Sequence, residues 1–372
     1  MTETRTSAEL PLREVLLGDA KTGLSGFRER LNPLLSAHLD EAITEAQRED
    51  ELMAEALTQT KALMLAGGKR LRAALMCAGY FAAGGEDEER ILRTSMSVEF
   101  VHAFLLMHDD IIDRDPLRHG TETIHEYYGR RARELFPGTD AEHFGNSVGI
   151  IVGDMVAALG NDLIFRSGFP LPRVFAALSV LQKIVSYTVI GQGMDIAFEY
   201  RGKASREDII RMYEYKTAKY TIEGPLALGA LLAGADETQT EKFRALSVPL
   251  GVAFQVRDDI LGTFGSREKL GKPVESDLAE GKRTLLVSFA LEYASGSVKR
   301  EIEALLERRE PTEEDVERFR TLLRETGALD SSSEYMVQLV EEAKRLIRSA
   351  GVPWDVERFL VSIADYVAYR VL

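Results

Sequence analysis

Cysteine is almost absent from this chain of 372 residues: Cys77 stands alone. No disulfide can form within the chain, which excludes a disulfide-stapled secreted scaffold and favours a reducing compartment. Basic charge is also in deficit, with 46 Lys and Arg against 60 Asp and Glu and a net charge of −14. That excludes a general nucleic-acid binder, because no cationic excess is available to displace counterions from phosphates. Long apolar runs are missing too. The longest, from Ser147 to Gly160, is broken by Asp154 and falls short of the ~18 residues that read as a membrane span. The opening segment MTETRTSAEL contains acidic residues and no apolar centre, unlike a secretory signal. These deficits predict a soluble, cytoplasmic protein without a transmembrane segment.

No Pro/Ser-rich linker and no short-period repeat divides the sequence. The expected organisation is therefore one large domain over residues 21–372, preceded by a polar N-terminal extension over residues 1–20. Apolar residues make up 45% and charged residues 28%, enough apolar surface for a packed core. Helical signals dominate. Thr312 to Asp315 form a capping box ahead of Val316, Phe319, Leu322 and Leu323, with Gly327 as a stop. Ser205 opens another helix, and Pro353 a last one striped by Val356, Phe359, Leu360, Ile363 and Val367. Asn-Gly and Asp-Gly hairpin turns between alternating runs are lacking, so the predicted class is all-α. Stretches 97–107 and 217–233 are apolar most of the way round and belong at the centre of a bundle.

A pair of acidic clusters needs a chemical explanation. Met107-His108-Asp109-Asp110-Ile111-Ile112-Asp113 appears early, and Val256-Arg257-Asp258-Asp259-Ile260-Leu261 appears late. Asp109 and Asp113 share one helix face at i and i+4, where unpaired carboxylates repel. Desolvation adds several kcal/mol per charge. A hard divalent cation such as Mg²⁺ removes both costs, and it is commonly held by one or two carboxylates together with substrate phosphates. One cluster alone reads more often as a solvated helix end. Two clusters that face each other across a bundle would hold a polyanion between them through metal ions.

Basic residues surround these clusters in order. Gly67-Gly68-Lys69-Arg70-Leu71-Arg72 is a glycine and cation loop running into a helix, suited to a phosphate. Arg118-His119-Gly120 follows the first cluster, and Lys216-Thr217, Lys272 and Gly281-Lys282-Arg283-Thr284 lie around the second. Together with Glu99-Phe100-Val101-His102, Gly191-Gln192-Gly193-Met194-Asp195 and Phe254-Gln255, this ordered set resembles the trans-isoprenyl diphosphate synthase (polyprenyl synthetase) family over roughly residues 30 to 370.

The resemblance implies a single helical bundle around a deep central cavity, usually homodimeric. It also implies head-to-tail joining of isopentenyl diphosphate to an allylic diphosphate with loss of pyrophosphate. In that family, residues matching Lys69, Arg72 and His102 bind isopentenyl diphosphate. Those matching Asp109, Asp113 and Asp258 ligate Mg²⁺ on the allylic diphosphate, beside Arg118 and Lys216. Lys272 and Lys282 would help close the site. Thr217 and Gln255 would offer oxygen dipoles to the allylic cation. The sequence departs from the common pattern at His119, where a second Arg is usual, at Gly262 and at Glu275.

Product length is read from the helix ahead of Asp109. Side chains four and five positions earlier lie about 6–7.5 Å down the channel, and these are Leu105 and Phe104. One aromatic at the fifth position resembles geranylgeranyl (C20) synthases, with C15 and C25 as alternatives. On an ideal helix Phe104 is turned well away from Asp109, which leaves it open as plain core. A weakly active regulatory subunit and a terpene cyclase are the competing readings. The second does not explain the GGKRLR segment or the second Asp-Asp pair.

Overall fold

Short polar side chains start the long helices by accepting hydrogen bonds from otherwise unpaired backbone N–H groups. Asp19, Asp87, Asp140 and Asp236 cap in this way, as do Ser205 and, with a full capping box, Thr312. The structure, a computed structural model, describes residues 10–265 and 276–369. The first half runs α1 (Leu12–Leu16), α2 (Ala20–Glu49), α3 (Glu51–Ala66), α4 (Leu71–Ala82), α5 (Glu88–Asp113), α6 (Ile124–Leu135), α7 (Ala141–Phe165) and α8 (Leu171–Arg201). Next come α9 (Arg206–Tyr213), a π-helical segment Glu214–Glu223, α10 (Gly224–Ala233) and α11 (Glu237–Phe264). The chain ends with α12 (Ser276–Glu280), α13 (Leu285–Tyr293), α14 (Gly296–Leu306), α15 (Glu313–Glu325), α16 (Ala328–Ser349) and α17 (Trp354–Tyr369). The fold is all-α, as the sequence predicts.

The core follows the apolar helices. Every residue of α4 is buried except Arg72, so this central helix turns one charged side chain toward a hollow and nothing toward bulk solvent. It packs on α10 and α5, while α5 lies along α7, and α11 lies against α16 and the π segment. The predicted stripe on α17 is wholly buried. The described part of the stretch expected as a polar extension packs into the bundle. Leu12, Leu16 and Leu17 are buried, Leu12 N–H donates to Glu88, and Arg13 pairs with Asp355 at 2.7 Å.

Two local elements differ from the sequence expectation. Residues 217–233 do not form one α-helix but a π segment passing into α10. Pro225, near the start of α10, has no N–H and its ring crowds the carbonyl four residues back, and a widened turn accommodates it. A short hairpin also follows α5: Leu117–Arg118 pairs antiparallel with Thr121–Glu122. Its two turn residues, His119 at φ 52° and Gly120 at φ 75°, are both left-handed, as this tight hairpin type requires. Among the described residues, α7 and α8 are long and apolar enough to cross a membrane by length and composition. The longest apolar run in the sequence understates this, because α7 extends well beyond it at both ends.

Candidate active site

The last turn of α5 carries the first acidic cluster. Carboxylates at a helix C-terminus meet the negative end of the helix dipole, so they are unfavourable there without cations. They are not solvated either: the side chains of Asp110 and Asp113 are 4% and 10% exposed. The structure supplies a cation to each. Lys216 of the π segment stands 3.8 Å from Asp109 and 2.6 Å from Asp195 of α8. Lys282 stands 2.9 Å from Asp113. Arg118 reaches back from the hairpin to Asp110 and, at 3.3 Å, to Asp115. Burial opposes the charge on Lys216, but Asp109 and Asp195 outweigh it and raise its pKa above the usual lysine value. Burial pushes Asp110 up to about 6 even though Arg118 pulls it down.

The second cluster is tied to the first through adjacent residues. Thr217, next to Lys216, donates to Gln255 Oε1 at 2.6 Å. Gln255 Nε2 donates to Asp259 at 2.9 Å, and Asp259 also accepts from the Tyr213 hydroxyl. Tyr213 in turn accepts the N–H of Leu285 at 2.8 Å. Asp258 is partly buried on α11, one turn beyond Gln255. The close approach of α8 needs Gly191, where a Cβ would lie 2.3 Å from the Lys216 backbone nitrogen.

A cavity of about 390 Å³ opens beside the first acidic cluster, lined by Lys69, Arg72, His102, Asp110, Arg118 and His119 among others. Two turns shape it. The hairpin drives the His119 ring against Gly67, where any Cβ would lie 2.7 Å from the imidazole. Arg70, at φ 56°, is turned inward and bonded to Asn32 at 2.9 Å and Glu99 at 3.3 Å, so it clamps the loop. Lys69 and Arg72 are left to the cavity, with the Lys69 ammonium 5.0 Å above the Tyr366 ring. Burial, followed by Arg72 and Arg118, holds His102 well below the usual histidine pKa. Burial and the same kind of cationic neighbours, Arg118 and Arg70, lower His119. Both rings are therefore neutral donors among permanent cations.

Lys272 and Glu275 lie outside the described residues. Phe104 stands apart from both groups: its ring packs edge-on against His108 at 5.7 Å, and His108 Nε2 lies 3.1 Å from the Ile150 carbonyl of α7. Leu105 is partly buried against the core. The sequence reading missed Asp195, Tyr213 and Tyr220. Asp195 ends the Gly191 to Asp195 motif, so a signal existed; Tyr220 reads as ordinary core in the apolar stretch 217–233, and Tyr213 lies ahead of it in a segment without a motif. Among the described residues no group of three His, Cys, Asp or Glu side chains stands at metal-ligand spacing. The carboxylate oxygens of Asp109, Asp113, Asp195 and Asp258 are nevertheless the donor chemistry a hard cation takes.

Comparison with known proteins points one way. A family model described as polyprenyl synthetase matches residues 54–323. The geranylfarnesyl diphosphate synthase of Aeropyrum pernix is 33% identical over 314 residues, spanning 83% of this chain and 92% of its own length. The geranylgeranyl diphosphate synthase of Methanosarcina mazei is 32% identical, spanning 90% and 95%. The crystal structure of geranylgeranyl pyrophosphate synthase from Corynebacterium glutamicum, complexed with isoprenyl diphosphate and magnesium, superposes with a TM-score of 0.89. It is 31% identical, and the match covers 94% of this chain and 99% of that one.

Proposed function

This chain belongs to the polyprenyl synthetase family and is a prenyltransferase, and from that premise we propose that it condenses isopentenyl diphosphate with an allylic diphosphate to give geranylgeranyl diphosphate and pyrophosphate. One observation carries the reading: a carboxylate and ammonium cluster and a cation-lined cavity adjoin along one helix, α5, as two diphosphate substrates require. The cavity, with Lys69, Arg72, His102 and His119, is the isopentenyl diphosphate site, and Arg118 stands between it and the acidic cluster. The cluster is the allylic site, where Asp109, Asp113 and Asp258 would hold Mg²⁺.

The chemistry assigns each residue a task. Leaving of the allylic diphosphate puts negative charge on pyrophosphate, and Lys216, Lys282 and Arg118 are placed to take it up. Magnesium, when bound, supplies further neutralisation of that group. Gln255 gives its N–H to Asp259 and its carbonyl to Thr217, and Thr217 spends its hydrogen on Gln255. The Thr217 oxygen therefore keeps lone pairs for a nearby cation. The apolar walls keep out water that would trap the cation as an alcohol. Lys272 would close over the diphosphate.

Mass analysis of products from each allylic primer, with the purified chain alone, tests this. The expected result is a C20 product that disappears with a chelator and returns with Mg²⁺. A C15 or C25 product corrects the length, and no product from any primer leaves the regulatory-subunit reading. Phe104→Ala tests the floor of the channel and is expected to lengthen the product. An unchanged distribution assigns length control to Leu105 or deeper residues. We further propose that a second copy covers the exposed apolar side chains of α7 and α8, among them Ile150, Ile151, Phe165, Leu171, Phe175 and Val189, because a surface this apolar is unusual for a monomer. Sedimentation at the mass of one chain would refute it. A cytoplasmic location remains part of the reading, supported by the single cysteine.

A further inference from the structure

Arg72 and His102 reach the isopentenyl diphosphate cavity from different helices, yet both touch one side chain of the π segment. Tyr220 Oη lies 2.5 Å from Arg72 Nη2 and 3.0 Å from His102 Nδ1. The Arg72 guanidinium also lies over the Tyr220 ring, 4.3 Å from its centre, and donates to Thr221 Oγ1 at 2.9 Å. A guanidinium has only hydrogens to give, so Tyr220 is the acceptor in its bond with Arg72. The phenol keeps its own hydrogen to donate, and His102 Nδ1 is the acceptor at hand.

We propose that Tyr220 is a positioning residue: its hydroxyl, oriented by Arg72, fixes His102 as the tautomer with a bare Nδ1 and its hydrogen on Nε2, the nitrogen left for an anion in the cavity. The proposal rests on the diphosphate reading of that cavity. A neutral imidazole carries one N–H, and which nitrogen bears it decides whether the ring donates to a phosphate oxygen or repels it. Burial, with Arg72, Arg118, Arg70 and His119 nearby, disfavours a second proton on His102, which leaves the tautomer to decide what the ring offers the cavity. Tyr220 also lies in the fields of Asp109 and Lys216.

Nitrogen-15 NMR of the full chain labelled at histidine tests this directly, with His102 assigned by its loss in His102→Gln. The wild type is expected to show Nδ1 unprotonated and Nε2 protonated between about pH 6 and 8. Tyr220→Phe is expected to give a mixture of tautomers and to raise KM for isopentenyl diphosphate about tenfold, with kcat within about twofold. A proton on Nδ1 in the wild type, or an unchanged tautomer or unchanged KM in the variant, overturns the proposal. Failure of the wild type to bind isopentenyl diphosphate in a calorimeter would instead sink the diphosphate reading, while the wild-type tautomer still decides the role of Tyr220.

Discussion

The two Asp-Asp pairs are alike in sequence and are held by different means. In each, the first carboxylate is partly exposed and the second is buried. Asp110 is locked by a guanidinium, Arg118, whereas Asp259 is locked by a phenol and an amide, Tyr213 and Gln255. The difference follows from what lies near. Asp110 shares its site with Asp109 and Asp115, whose charges raise its pKa after burial has done so, and Arg118 supplies positive charge to Asp110 and Asp115 together. Asp259 sits within a relay of directional hydrogen bonds that runs through Tyr213 to the Leu285 backbone.

This contrast can be broken in three places. The largest effect is expected at the partly exposed carboxylate of the first pair: Asp109→Asn should lower kcat by about 10²–10³-fold, since it removes a charge proposed to work through the departing group. Steady-state assays check this, and retention of wild-type kcat would take Asp109 out of the site. Next comes the charged lock. Arg118→Leu removes one partner of a buried pair and should cost about 3–5 kcal/mol in urea unfolding. Asp110→Asn added to it should return part of the loss; if the double variant is as unstable as the single one, Asp110 was not what Arg118 compensates. The smallest is expected at the phenol bonded to Asp259, where Tyr213→Phe should cost about 1–3 kcal/mol. A loss as large as that of Arg118→Leu would erase the distinction between the two pairs.

The sequence made the acidic residues legible because helix spacing alone puts Asp109 and Asp113 on one face, and α5 is long and regular. It also pointed to five cavity residues, through the order of their motifs more than through any one of them. Direction was not legible. Lys69 and Arg70 are adjacent cations, and only the left-handed backbone at Arg70 turns that one inward to Glu99. The hairpin escaped because its strands are two residues each and its turn is His-Gly, a pair with weak statistical weight. The π segment escaped because apolar spacing was read with the α period; Gly224-Pro225 was the available warning.

That segment has a bearing on how the enzyme tolerates change in chain length. In an α-helix, residues five apart point about 140° away from each other, whereas the i→i+5 pattern of a π turn stacks them. Lys219 meets Glu214 at 3.0 Å on this register, and the same stacking sets Thr221 above Lys216, with Tyr220 beside it. Removing a residue between Glu214 and Glu223 would let the coil tighten and swing these groups out of alignment, although no side chain had been altered. Insertions and deletions there should therefore be far more damaging than most substitutions, and the extra girth of a few backbone turns becomes the gauge that keeps the two halves of the reaction in step.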